Sequence, residues 1–164
     1  DRYGTDALRV GLASQATGLQ DIRFGEGFMV MGKKFANKVW NISRYILLKL
    51  GDISWEIENP HNEMSAKIDG LAINVTQQIK EYNFAEATNL LYHFIWHDFA
   101  DKFIEESKGK DDKETSQTLI HTLTTILKLL HPFMPFVTEE LWSQLPLKNK
   151  KLLLIEDWPV PERA

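Results

Sequence analysis

The chain has 164 residues, 43% hydrophobic and 26% charged, with a net charge of −4 and no cysteine. That length suits one domain with a sizeable core and hardly two. The lack of thiols excludes disulfides and thiolate metal sites, and the acidic balance argues against a sequence-blind nucleic-acid binder, which is usually basic overall. No apolar run approaches the roughly 20 residues of a membrane span, and a cytoplasmic location is expected.

DRYGTDALRVGLASQ reads as a helix from about Thr5, with Ala7, Leu8, Val10, Leu12 and Ala13 as a small-residue apolar face. Asp1 and Arg2 follow no cap or turn, so the chain is expected to be a piece of a longer polypeptide. Gly18 to Gly27 reads as a connector carrying Asp21 and Arg23 between Ile22 and Phe24. Lys33 to Leu50, KKFANKVWNISRYILLKL, is the helix around which the chain is organised. At roughly 100° per residue Phe35, Val39, Ile42 and Ile46 share one side, widened by Ala36, Trp40, Ser43, Leu47 and Leu50. Opposite them Lys34, Lys38, Asn41 and Tyr45 occupy a strip roughly 60° wide, flanked by Asn37 and Arg44. Cations for phosphate, amides for base edges and a ring for stacking are what a single-stranded nucleic-acid surface needs. A solvated helix face would show the same Lys and Asn.

Gly51 is a natural helix stop. In DISWEIENPHN the alternating Ile53, Trp55 and Ile57 are expected to lie along the bundle. A third helix runs from about Glu63 to Tyr82, with Ile68, Leu71, Ala72, Val75 and Ile79 inward. Asn83 followed by Glu86 starts a fourth, Phe84 to Ser107. It is apolar on several sides and is expected to be central. SKGKDDK, Ser107 to Lys113, reads as a solvated loop without function. Asp111 with Glu114 starts a fifth helix with Leu119, Leu123, Ile126, Leu127 and Leu130 inward, ended by Pro132. Pro135 opens a short sixth that Pro146 stops. The final LLLIEDWPVP reads as an extended tail docked through Leu153, Ile155 and Trp158. With no other strand alternation and no internal repeat, the fold class is all-α, a helical bundle of four to six helices.

His93 and His97 have the spacing to face one metal, but the glutamate that would follow the first is absent and no third ligand is evident, so no metal is expected. Asp98 and Asp101 are expected to cap, or to pair with Lys or Arg of adjacent helices. His131 is expected to favour a helix end through the dipole. There is no Gly-rich phosphate loop, nucleophile elbow or Cys–His pair, so no catalytic residue is assigned.

Six segments carry a resemblance. YGTDALR resembles the helix after the KMSKS loop of class I aminoacyl-tRNA synthetases of the valine, isoleucine and leucine group. DIRF and FANKVWN resemble the entry to the anticodon-binding helical domain of the valyl-tRNA synthetase family. LYHFIWHDFADKFIE and LLHPFMPFVTEELW are similar to that family's helical signatures, and EDWP to its tail. The resemblance implies that residues 1–22 end a catalytic and stem-contact region, 23–147 form the anticodon-binding bundle, and 148–164 lead toward a coiled-coil arm. Neither HIGH nor KMSKS is present, so the piece itself is expected to be inactive and without cofactor, ATP and Mg serving the parent ligase. The implied partners are the anticodon stem-loop of tRNA(Val) and the catalytic domain of the same polypeptide, in a monomer. The implied anticodon contacts are Arg23, Lys38 and Tyr45, with Asn37, Asn41 and Lys34 in the same segment. The sequence departs from the family around Gly27, where a further Arg is often found, and at Asn62 to Gly70, which lacks a DxWI pattern. The alternative is a helical protein-interaction module with no RNA role, whose Lys33–Leu50 face docks a protein.

Overall fold

The longest element, α2 (Glu26–Leu50), buries Phe35, Val39, Ile42, Ile46 and Leu50 along one side, each side chain stabilising the fold by about 1.5–3 kcal/mol when fully removed from water. The computed structural model describes residues 2–17, 25–51 and 53–159. Among them are five further helices: α1 (Thr5–Ala13), α3 (Glu63–Lys80), α4 (residues 84–107), α5 (Lys113–Leu130) and α6 (Pro135–Gln144). A 3₁₀ turn follows at Leu153–Ile155. The all-α bundle is as expected, and no helix among the described residues is long and apolar enough to cross a membrane.

The long helix begins at Glu26, several residues earlier than its apolar periodicity suggests, so Gly27 belongs to its first turn and not to a connector. Its N-terminal half packs against α1. A Cβ on Gly32 would lie 2.3 Å from the Ala7 carbonyl oxygen and 2.9 Å from the Ala7 Cα. Only a bare α-carbon allows the two backbones to approach this closely.

Caps place the remaining helices. Asn62 and Ser65 form a reciprocal capping box at the start of α3, Ser65 N–H donating to Asn62 Oδ1 at 3.1 Å and Asn62 N–H to Ser65 Oγ at 2.8 Å. Without a DxWI pattern, α3 still buries Met64, Ile68, Leu71, Ala72 and Val75. It ends at Lys80, before Tyr82, whose φ of 59° turns the chain away from the helical path. Asn83 caps α4 as expected. The cap of α5 is Asp112, which accepts from Thr115 N–H at 2.7 Å. Asp111 instead reaches back to Lys49 of α2 at 3.0 Å.

The middle of the bundle is held by α5 as well as α4. Leu119, Ile120, Leu123, Ile126, Leu127, Leu129 and Leu130 are all buried, and so are Thr118, Thr122, Thr124 and Thr125. Thr118 and Thr124 hide their polarity by donating to the carbonyls of Glu114 and Ile120, each at 2.8 Å. Helix α4 is unusual in its middle, where Phe94–Ile104 winds as a π-helix between α-helical ends.

The N-terminus of α6 is capped from a distance. Asp6 of α1, itself buried, accepts from Val137 N–H at 2.6 Å and Phe136 N–H at 3.4 Å. At the other end of α6 the Lys150 ammonium donates to the carbonyls of Trp142, Ser143 and Leu145 at 3.0, 2.5 and 2.6 Å. The C-terminal tail docks through Leu153, which is buried, and Trp158, whose indole N–H donates to Thr76 Oγ1 at 2.8 Å. Ile155 is exposed, because Glu139 caps the backbone N–H groups of Leu153 and Leu154 and turns the segment outward. Trp55 likewise docks alone, bridging to Leu147, while Ile53 and Ile57 are exposed.

Two histidines take structural roles as neutral rings. Burial lowers the pKa of His121, whose Nε2 lies 3.6 Å from Asp69. Burial also lowers that of His131, whose Nδ1 meets Thr138 Oγ1 at 2.8 Å. The His131 contact is thus a hydrogen bond more than a charge set against a helix dipole.

Candidate nucleic-acid interface

The strip on α2 is divided by its neighbours. Measured from Lys34 at roughly 100° per residue, Tyr45, Lys38 and Lys49 lean to one side, at roughly 20°, 40° and 60°. They meet α4 and the loop after it. Lys38 Nζ lies 3.2 Å from Asp101 Oδ1 and 4.8 Å from the centroid of Trp96. The Tyr45 hydroxyl is 3.2 Å from Ser107 Oγ and its ring packs, half-buried, against the core. Ser107, the last residue of α4, is itself buried against α2, so the solvated loop begins only at Lys108.

Lys34, Asn37, Asn41, Arg44 and Leu48 are exposed on the outer side. Among the described residues neither Lys34 nor Arg44 has a carboxylate within 4 Å, whereas Lys38 and Lys49 are both paired. Leu48, 76% exposed, sits in the same row. The row therefore offers two cations that have no acidic partner among the described residues, two amides and an apolar surface, on a chain whose net charge is −4. Arg23 lies outside the described residues.

On the α4 side of α2, away from this row, is a cleft of about 730 Å³ between the end of α1, the first turns of α2 and the first turns of α4. Phe28, Met31 and Tyr92 supply apolar walls, and Gln15, Asn89 and His93 supply polar groups. Tyr92 continues the surface out of the cleft, stacking on Trp96 with ring centroids 5.3 Å apart and planes 24° from parallel. Trp96, on the helix whose apolar pattern marks it as central, packs half-buried against the core. The signal that could have placed it was its i, i+4 relation to Tyr92 together with the cation strip on α2.

His93 and His97 stand with ring centroids 5.6 Å apart, and His97 Nδ1 is 3.6 Å from Asp101. Among the described residues no group of three or more His, Asp or Glu side chains is placed to hold a metal ion. Asp101 pairs as expected with a lysine of an adjacent helix, Lys38 of α2, whereas Asp98 pairs with Lys102 on its own helix, each at 3.2 Å.

An all-helical bundle with an exposed cation–amide row agrees with the class that comparison defines. The family described as the anticodon-binding domain of tRNA ligase matches residues 61–164, and the chain belongs to it. More particularly, the chain is similar to valine–tRNA ligases. It is 38% identical to that of Pseudothermotoga lettingae over 97% of this chain and 19% of the relative. It is 36% identical to that of Bacillus subtilis strain 168 over 100% of this chain and 20% of the relative. The Thermotoga maritima enzyme is also 36% identical, over 99% of this chain and 20% of its own length. The chain thus spans about a fifth of the length of these curated relatives. Among solved structures, the ternary complex of Agrobacterium radiobacter K84 agnB2 LeuRS, tRNA and LeuAMS shares the fold. Its TM-score is 0.79 at 22% identity, over 98% of this chain and 20% of that one. The α2 row lies before residue 61, outside the family match and inside the stretch shared with the valine–tRNA ligases.

Proposed function

We propose that this chain is the part of a valine–tRNA ligase that reads the anticodon arm of tRNA(Val), the parent enzyme joining valine to that tRNA with ATP and Mg in the cytoplasm, as a monomer. The observation that carries the reading is the exposed row on α2, where Lys34 and Arg44, without an acidic partner among the described residues, stand beside Asn37 and Asn41. Unpaired ammonium and guanidinium groups attract phosphates without first breaking an ion pair, and amides one or two turns apart can meet base edges splayed out of a loop. Lys38 and Tyr45 border the row on the α4 side and complete the proposed contact set together with Arg23. Catalysis belongs to other parts of the parent, since this chain carries neither signature of the adenylate-forming site.

The test is titration of an anticodon stem-loop bearing a valine anticodon against one altered at the middle anticodon base, over a range of salt. The chain should prefer the valine loop. Lys34→Gln should weaken both loops evenly and reduce the salt slope by about one. Asn41→Ala should cost about 1–3 kcal/mol on the valine loop and narrow the preference. Lys110→Gln, in the exposed loop after α4, serves as the control. Indifference to the anticodon base, or equal losses from Lys34→Gln and Lys110→Gln, would remove the assigned face.

A further inference from the structure

Trp96 lies on the π-helical stretch of α4, outside the proposed anticodon contact set. One face of its indole is filled by Tyr92, stacked at 5.3 Å. The Lys38 ammonium also sits over the ring, 4.8 Å from its centroid. The ammonium is kept there by Asp101, 3.2 Å away, and Asp101 in turn has His97 Nδ1 at 3.6 Å as a second neighbour. The indole, half-buried against the core, thus has Tyr92 stacked on it and a flexible lysine side chain over it.

We propose that the indole surface beneath the Lys38 ammonium is a nucleobase-stacking site, closed in the RNA-free protein by the Lys38–Asp101 pair. This rests on the reading of the chain as an RNA binder and deepens it. Three observations carry it. The cover is a four-carbon stem with a mobile ammonium, which can leave without disturbing the backbone. The pair that holds it is 27% exposed at Lys38 and 50% at Asp101, and partly exposed pairs are screened by water, so a phosphate can compete with the carboxylate. The cleft of about 730 Å³ shares Tyr92 with the stack and gives an incoming nucleotide room beside it. When Lys38 turns from Asp101 to a phosphate, the same motion uncovers the indole for the adjoining base. Phosphate capture and stacking are thereby coupled, and Asp101 sets the threshold for both.

The probe is the valine anticodon stem-loop carrying 2-aminopurine at one loop position at a time, since stacking on an indole quenches that base. With the unaltered chain, quenching should appear at a single loop position. Trp96→Leu should abolish it and weaken binding about tenfold, the lower part of the range for one stacked base, while Trp96→Phe keeps most of both. Asp101→Asn frees the ammonium and should tighten binding about threefold or more, a gain that Lys38→Gln removes when added to it. Circular dichroism melts confirm folding of each variant. If no loop position is quenched although the stem-loop binds, or Asp101→Asn leaves affinity unchanged or lower in a folded protein, the trio is only a tie between α2 and α4. In that case the anticodon reading survives. If no stem-loop binds at all, both fall.

Discussion

Gly32 and Gly70 sit inside helices and differ only in what surrounds them, so one chemical change at the two sites should have opposite signs. An alanine at Gly70 of α3 meets nothing within 4 Å and gains the usual helical advantage over glycine, about 1 kcal/mol. For a chain of this size that corresponds to a rise of roughly 2–4 °C in Tm. At Gly32 the same gain is opposed by a Cβ 2.3 Å from the Ala7 carbonyl oxygen, where ordinary contact begins at 3.4 Å. The offending atoms are backbone, so no rotamer change relieves them, and α1 must withdraw from α2 by about 1 Å. A gap of that width forfeits a quarter to a half of each dispersion contact across it. Overpacking of this kind costs typically about 1–3 kcal/mol, and a backbone clash belongs at the upper end. Net of the propensity gain, Gly32→Ala should lose about 2 kcal/mol and lower Tm by roughly 4–8 °C. Urea denaturation with thermal melts of both variants measures the difference. If Gly32→Ala stabilises as much as Gly70→Ala, the close crossing of α1 on α2 is wrong.

The remaining predictions concern buried polar groups. Asp6→Ala strips the carboxylate that holds Phe136 and Val137 N–H at the start of α6, and should cost about 1–2 kcal/mol; an unchanged urea midpoint would argue against this cap. For His121 and His131, burial sets the folded pKa below the ordinary value of 6.5. Between the unfolded and folded values the unfolded chain binds more protons, so stability is full above about pH 6.5 and is lost as pH falls through the folded values. His121→Gln should flatten that part of a stability–pH curve; an unchanged slope below pH 6.5 would mean the ring is not held neutral.

Periodicity made most of the bundle legible. The stripe of Phe35, Val39, Ile42 and Ile46 repeats at helical spacing, and burying such a stripe is what a helix of this kind is for. Asn83 and Pro135 marked helix starts because each acts on backbone within a turn of itself. The errors lie where local signals were equivocal. Asp111 and Asp112 are adjacent carboxylates with equal claims to a cap, and only the pairing of Asp111 with Lys49 separates them. Gly27 looked like a breaker because nothing local shows that Gly32, one turn and a half later, is needed bare for α1.

What the amino-acid order determined unaided is the all-α class, most helix ends to within a few residues (the first two turns of α2 excepted), and the candidate strip on α2, since all three depend on contacts within one or two turns. The tertiary structure alone decided which side chains of that strip stay in water. Lys38 and Tyr45 are drawn toward Asp101, Trp96 and Ser107, more than sixty residues away in two of the three cases, and Lys34 and Asn41 are left outside. Periodicity reports the direction in which a side chain leaves its own helix, and the partner waiting there is supplied by the packing of another.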